Sequence, residues 1–168
     1  MKNYYTKMKL PEPLVPALQA LSLLKGQTAL VTGANSGIGR AIALSLGRAG
    51  ANVVVNYVVK PEEAEAVVGE IQGGGGHAMA IRADVGDESQ VGAMFAEAVK
   101  AFGTVDILVS NAGMERNAPF HEMTTAQWDA VMNVNLRGAF LCAREAVREF
   151  LRRGVRPEVS VAAGKIIF

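Results

Sequence analysis

Gly33, Gly37 and Gly39 stand in the run Thr32-Gly33-Ala34-Asn35-Ser36-Gly37-Ile38-Gly39, directly after the apolar segment Thr28-Ala29-Leu30-Val31 and at the opening of a helical pattern from Ile38 to Gly47. Strand, glycine turn and helix in that order seat a dinucleotide pyrophosphate on the helix N-terminus, where unpaired main-chain N–H groups and the helix dipole face the negative charge. On this reading Gly33 permits the tight turn, Gly37 lets the backbone approach the phosphates, and Gly39 lets helix and strand pack closely. The spacing is G-x-x-x-G-x-G rather than G-x-G-x-x-G. Asn56-Tyr57 closes the next apolar run, about 20 residues past the glycines, where an acidic side chain would bind the ribose hydroxyls of NAD. A carboxylate there would repel the 2′-phosphate of NADP, and Asn56 would not. Asn35, Ser36, Tyr57 and Val58 are all neutral and supply no basic clamp, which leaves Lys60 and Arg40 as the nearby cations. The balance favours NADP, or use of both nucleotides, over strict NAD.

Apolar strand-like runs alternate with helical patterns, which predicts a parallel sheet covered on both faces. Strands are expected near Thr28–Thr32, Asn52–Asn56, Ala78–Arg82, Val105–Ser110 and Lys165–Phe168. Helices are expected near Ile38–Ala49, Pro61–Gln72, Glu88–Phe102 and Thr125–Arg152. Pro61 followed by Glu62, Glu63 and Glu65 makes a good helix start, and Gly73-Gly74-Gly75-Gly76 a flexible stop. A phosphate loop is the poorer reading of those four glycines, because no strand precedes them and no helix follows at once. The long last helix carries Trp128, Val131, Met132, Asn135, Ala139, Ala143, Ala146 and Phe150 along one side. Arg137, Arg144, Arg148 and Arg152 occupy much of the rest, an amphipathic pattern whose charges read as a solvated or partner-facing surface.

The chain of 168 residues fits one domain with a real core, and 50% hydrophobic residues with 18 glycines suit a compact α/β protein. A net charge of +1 gives no reason to expect a nucleic-acid partner. The single cysteine, Cys142, makes no internal disulfide, fits a reducing compartment, and reads as a small buried apolar residue rather than a catalytic thiol. No apolar run reaches the length of a membrane span. Residues 1–24 carry Lys2, Lys7, Lys9, Pro11, Pro13 and Pro16 before Ala17 to Leu24. They read as an extension that packs Leu18, Leu21 and Leu24 on the domain of residues 25–168. They lack the long apolar core and cleavage site of a secretory signal, so a cytoplasmic location is expected.

Asp84-Val85 after the third strand and Asn111-Ala112-Gly113 after the fourth complete an ordered set. With Thr32 ahead of the glycines and Ile38 among them, the sequence from about Leu24 to Phe168 resembles the short-chain dehydrogenase/reductase family. Asn56-Tyr57, His121-Glu122-Met123 and the stretch from Asn133 to Phe140 look most like its glucose 1-dehydrogenase-type members. The resemblance implies a Rossmann-like doubly wound α/β sheet of strand order 3-2-1-4-5, incomplete on its C-terminal side, that binds NADP or NAD. It also implies that Asp84 accepts from the adenine amino group, that the Val85 amide donates to the ring, and that Gly113 lets the backbone pass close to the cofactor. Asn111 would tie neighbouring strand ends by side-chain hydrogen bonds, with Ser110 standing where the family carries another Asn. An Asp or an Asn-Ala-Gly after a strand is also ordinary turn chemistry.

Asn135 matches the family's catalytic Asn, whose side chain and local backbone hold a water of a proton relay. Read from the residues alone, an amide on an apolar helix face needs a partner, since leaving it unpaired costs about 1–3 kcal/mol, and neighbouring backbone would serve. The resemblance implies hydride exchange between nicotinamide and a hydroxyl or carbonyl substrate, a small alcohol, ketone or sugar, with a Tyr as acid–base, a Lys four residues later and a Ser on the substrate oxygen. The tyrosines here are Tyr4, Tyr5 and Tyr57. Tyr5 and Lys9 have the right spacing but precede the first strand, and Ser160 precedes the fifth. His77 and His121 read as loop residues, and no metal site is suggested. The expectations are therefore nucleotide recognition without turnover by this chain alone, an aggregation-prone apolar edge at Lys165–Phe168, and a homo-oligomer of the family kind left in doubt. The rival readings are a non-catalytic dinucleotide-binding module and the product of a broken gene.

Overall fold

A computed structural model describes residues 22–168. Five parallel strands, β1 (Thr28–Val31), β2 (Asn52–Tyr57), β3 (Ala78–Arg82), β4 (Ile107–Val109) and β5 (Lys165–Ile167), form one sheet in the order β3-β2-β1-β4-β5. Helices α1 (Gly37–Arg48), α2 (Pro61–Gly73) and α3 (Glu88–Phe102) follow the first three strands. The order matches the expected doubly wound topology, and its direction reverses between β1 and β4, so a crevice opens at the C-terminal ends of those two strands.

Alternation along each strand builds two cores. Ala29, Val31, Val53, Val55, Ile107 and Val109 pack on one face with residues of α1 and α2, among them Ala43 and Val67. Leu30, Val54 and Leu108 pack on the other with Val91, Met94 and Phe95 of α3. Leu24 lies against the first core and its amide donates to the Ala49 carbonyl at 2.9 Å. The expected packing of Leu18 and Leu21, and the Tyr5–Lys9 spacing, lie outside the described residues. At the far end of the sheet from the crevice, buried Asp106 accepts from the Thr28 amide and from Arg156 at 2.8 Å and forms an ion pair with Arg153 at 3.0 Å, which anchors the chain between the last helix and β5.

The helix expected over Thr125–Arg152 is three pieces. α4 (Thr125–Met132) begins at a capping box formed by Thr124 and Gln127, a wider π-helical stretch covers Asn133–Gly138, and α5 (Ala139–Arg153) completes it. The single side expected to run from Trp128 to Phe150 is corrected accordingly. Leu141, Cys142, Ala146 and Phe150 are buried, whereas α4 buries no residue and Trp128 is 54% exposed. The extra residue per turn in the π-helical stretch rotates what precedes it away from the core. On the arginine side Arg144 pairs with Glu88 and Glu145, Arg148 with Glu145, and Arg152 with Glu149, and the Arg148 and Arg152 side chains stay largely exposed. Cys142 is fully buried, and burial pushes its thiol up to about 12, so it stays protonated and inert. No helix among the described residues is long and apolar enough to cross a membrane.

Asp87 caps α3 by accepting from the Ser89 and Gln90 amides, and these bonds with the Ser89 hydroxyl and the Gln90 side chain hold its carboxyl down at about 2. A depressed folded pKa contributes stability that is complete above the unfolded carboxylate range and is lost as pH falls through about 2. We expect acid to loosen the start of α3 between about pH 4 and pH 2, and Asp87→Asn, which keeps the cap, to flatten that response. Amide chemical shifts of Ser89 and Gln90 across an acid titration would report it; identical titrations in both proteins would contradict it.

Candidate functional site

The turn between β1 and α1 lies at the crevice. Gly33 and Gly37 take φ of +61° and +55°, conformations that favour glycine. A Cβ on Gly37 would meet nothing within 4 Å, so the space above this turn is open. A Cβ on Gly39 would lie 2.5 Å from Asn111 Nδ2 and closer still to the Gly33 carbonyl oxygen, so helix and turn touch only because that residue is glycine. Ser36 is the N-cap of α1, yet its side chain makes no capping bond. Ile38 projects its side chain outward, 75% exposed. The turn therefore presents a hydroxyl and the first amides of a twelve-residue helix to open space, the chemistry that suits an anion.

Thr32 joins this turn to the end of β4. Its hydroxyl donates to the Val109 carbonyl and accepts from the Asn111 and Ala112 amides, both at 2.9 Å. Asn111 returns the link, its Nδ2 donating to the carbonyls of Thr32 at 2.9 Å and Gly33 at 3.2 Å. The tie between strand ends expected of Asn111 is thus present, and the residues around Thr32 supply its other half. Gly113 is exposed, and a Cβ there would make only ordinary contact with Asn135, so packing within the protein does not require glycine at that position.

Asn56 departs from the expectation of a ribose-facing group. It is 1% exposed, and its amide is fully engaged. Oδ1 accepts from the Gly33 amide at 3.2 Å, while Nδ2 donates to the carbonyls of Ala83 at 2.9 Å and Ile81 at 3.4 Å. Its main-chain carbonyl accepts from the Ala34 amide. The correction has a plain cause: an amide carries donors and an acceptor, and here it bridges β3 to the glycine turn instead of facing outward. Tyr57 is half-buried against the first core. Asn35 donates to the Val59 carbonyl at 3.2 Å and reaches Glu63 at 3.5 Å. Lys60 pairs with Glu63 at 2.6 Å, and that carboxylate raises the lysine pKa. Arg40 pairs with Glu70 and so is turned to another partner.

Past β3, Asp84 Oδ1 accepts from the Gly86 amide at 2.8 Å. Val85 is buried, and its side chain would collide with any Cβ on Gly138. Arg137 donates to the Gly86 carbonyl and to Asn133 Oδ1, pinning the loop of Asp84 and Val85 onto the π-helical stretch. Asn135 in that stretch is exposed, so the desolvation argument for its partner does not hold. Its amide nonetheless pairs at both ends with one residue, Oδ1 accepting from the Met114 amide at 2.9 Å and Nδ2 donating to the Met114 carbonyl at 3.0 Å. That is the neighbouring-backbone alternative. A hollow of about 320 Å³ beside it is lined by Met114, Arg116, Phe120, Met123, Trp128 and Asn135, among others. Sequence reasoning missed Thr32 as a hub and Arg137 and Met114 as anchors. A hydroxyl just before the first glycine, and an Asn-x-x-x-Arg spacing on a helix, were the available signals for the first two.

A family profile described as short chain dehydrogenase matches residues 27–168. The chain is 47% identical over 131 residues to short chain dehydrogenase claC of Passalora fulva, covering 78% of this chain and 49% of that one. It is 47% identical over 127 residues to 3-oxoacyl-[acyl-carrier-protein] reductase FabG of Staphylococcus aureus, covering 76% and 52%. Among solved structures, a short chain dehydrogenase from Burkholderia cenocepacia in complex with NADP superposes with a TM-score of 0.73 at 41% identity, over 75% of this chain and 51% of that one. A dehydrogenase/reductase from Sinorhizobium meliloti gives 0.75 at 46% identity, over 78% and 52%. The chain thus spans about half the length of the relatives it matches.

Proposed function

The chain belongs to the short-chain dehydrogenase family, and from that premise we propose that its own task is to hold a nicotinamide dinucleotide at the C-terminal ends of β1 and β4. The observation that carries this reading is the turn Gly33–Gly39, with an open space above Gly37 and an unengaged Ser36 hydroxyl at the head of α1. The pyrophosphate would sit on the amides of Ser36, Gly37, Ile38 and Gly39, with Asn35 and Ala112-Gly113 at its sides. Adenine would lie at Asp84 and Val85, since Asp84 commits Oδ1 to Gly86 and the Val85 amide bonds none of the described residues. With Asn56 and Tyr57 taken up in the framework, their part is to shape this pocket. Bound there, the nicotinamide supplies the hydride chemistry of the family.

Asn135 contributes by fixing Met114 and the loop that begins at Asn111, which leaves the backbone half of the family's water-holding role to the π-helical stretch. After β1 these residues hold no Tyr-x-x-x-Lys, and the Tyr5–Lys9 spacing and Ser160 precede the strands that would have to come before them. We take the chain by itself to bind nucleotide without turning it over. Steady NADPH consumption abolished by Asn135→Ala would overturn that part. The stretches Asn56-Tyr57, His121-Glu122-Met123 and Asn133 to Phe140 support a sugar hydroxyl as substrate of the whole enzyme.

Titration of the purified chain with NADPH, followed by nucleotide fluorescence, tests the central reading. Saturable binding is expected, and Gly37→Asp, which keeps a residue tolerant of positive φ but aims a carboxylate at the pyrophosphate, should weaken it at least about tenfold. A folded wild-type chain that shows no saturable binding would defeat the proposal.

A further inference from the structure

We propose that Glu63, at the start of α2, sets the choice between NADPH and NADH by holding Lys60 away from the adenosine ribose. The inference rests on the nucleotide reading above. In a dinucleotide fold of this topology the adenosine ribose lies between the glycine turn and the end of β2, and a basic side chain there accommodates a 2′-phosphate. The loop that forms this corner is fixed by its main chain: Arg82 Nε donates to the Val58 carbonyl at 3.1 Å and Asn35 Nδ2 to the Val59 carbonyl at 3.2 Å. Lys60 follows in the left-handed region, φ +60° and ψ +65°, alone among the described non-glycine residues in having positive φ. That turn folds its side chain back on α2, where Glu63 Oε1 takes the ammonium at 2.6 Å. The other carboxylate oxygen, Oε2, reaches Asn35 of the glycine turn at 3.5 Å.

One carboxylate therefore engages both of the flexible donors at this corner. Asn35, Ser36, Tyr57, Val58 and Val59 bring no charge, and Arg82 keeps its charge while its Nε is turned to the Val58 carbonyl. While Glu63 holds Lys60, the charge of that lysine is offset. That suits a 2′-hydroxyl, whereas a 2′-phosphate must draw Lys60 away and stand close to a carboxylate. The pair is exposed, with side chains 59% and 35% accessible, so exchange of the lysine between partners is easy and its effect on selectivity is moderate.

The test is binding of NADPH and NADH, separately, to wild type, Glu63→Gln, Lys60→Met and the double variant, by calorimetry at low and high salt. Glu63→Gln should shift the ratio of dissociation constants toward NADPH by about fivefold, the size of one exposed ion-pair coupling. Lys60→Met should lower NADPH affinity by a similar factor with NADH unmoved, and in that background Glu63→Gln should shift the ratio less than it does in wild type, since only the carboxylate's own repulsion is then relieved. Raised salt should shrink each difference. Wild type that binds both nucleotides, with a ratio unmoved by Glu63→Gln, overturns this inference alone. A folded wild type that binds neither overturns the nucleotide reading as well. Circular dichroism of each variant confirms that α2 persists, and a Glu63→Gln effect that survives Lys60→Met undiminished also counts against the mechanism.

Discussion

Gly39→Ala is expected to destabilise the protein by about 1–3 kcal/mol, the range for overpacking a closed site, and to reduce NADPH binding below detection. The added methyl would lie 2.5 Å from Asn111 Nδ2 and nearer still to the Gly33 carbonyl oxygen. Neither can retreat cheaply. Gly33 is main chain held by the Asn56 side chain, and Asn111 spends its amide on Thr32 and Gly33. Relief would come from moving α1 off the turn, which opens the spacing that aims its first amides at a phosphate. Gly69→Ala is the matched control. Gly69 lies in α2 with nothing within 4 Å of its would-be Cβ, so helix propensity alone acts and should stabilise by up to about 1 kcal/mol. Urea midpoints of the two variants should move in opposite directions. A Gly39→Ala protein as stable as wild type that still binds NADPH would show that the turn is more yielding than its contacts indicate.

What the sequence discloses here is mostly what local chemistry decides. β3 and α3 begin and end at the expected residues, because Asp87 caps and Gly103 terminates α3 through interactions within a few residues. The glycine turn was legible in the same way, since positive φ at Gly33 and Gly37 and close approach at Gly39 are demands that glycine alone meets well. Three features were not legible. The π-helical stretch at Asn133–Gly138 is held by Arg137 reaching the Gly86 carbonyl, 51 positions away, a contact that no local pattern announces. Asn135 stands on the apolar side of an ideal helix but is exposed, because that helix is not ideal. Asn56 occupies the position where an acid would face the ribose, and nothing in its spacing reveals that three main-chain groups from two other segments converge on its amide.

That convergence makes Asn56→Asp the second variant with a large effect, and it opposes the usual logic of engineering NAD preference by placing an acid at the end of β2. Aspartate keeps an acceptor for the Gly33 amide but turns a second acceptor toward the carbonyls of Ala83 and Ile81, which Nδ2 now serves. At 1% exposure the new charge has no water to turn to, so at neutral pH the variant should lose about 3–5 kcal/mol, the penalty of an uncompensated buried charge. Burial and the two facing carbonyls raise the folded pKa of this carboxyl above its unfolded value, because only the protonated form can donate to one of them. The folded state then binds the proton more readily than the unfolded state. The deficit is complete above the folded pKa and shrinks as pH falls through it. Urea midpoints of variant and wild type should therefore lie closer together at pH 5 than at pH 8, and the NADH-to-NADPH affinity ratio of the folded fraction should not rise. An Asn56→Asp protein of wild-type stability with a new preference for NADH would mean that this side chain reaches the ribose after all, and that the bridge from β3 to the glycine turn is dispensable.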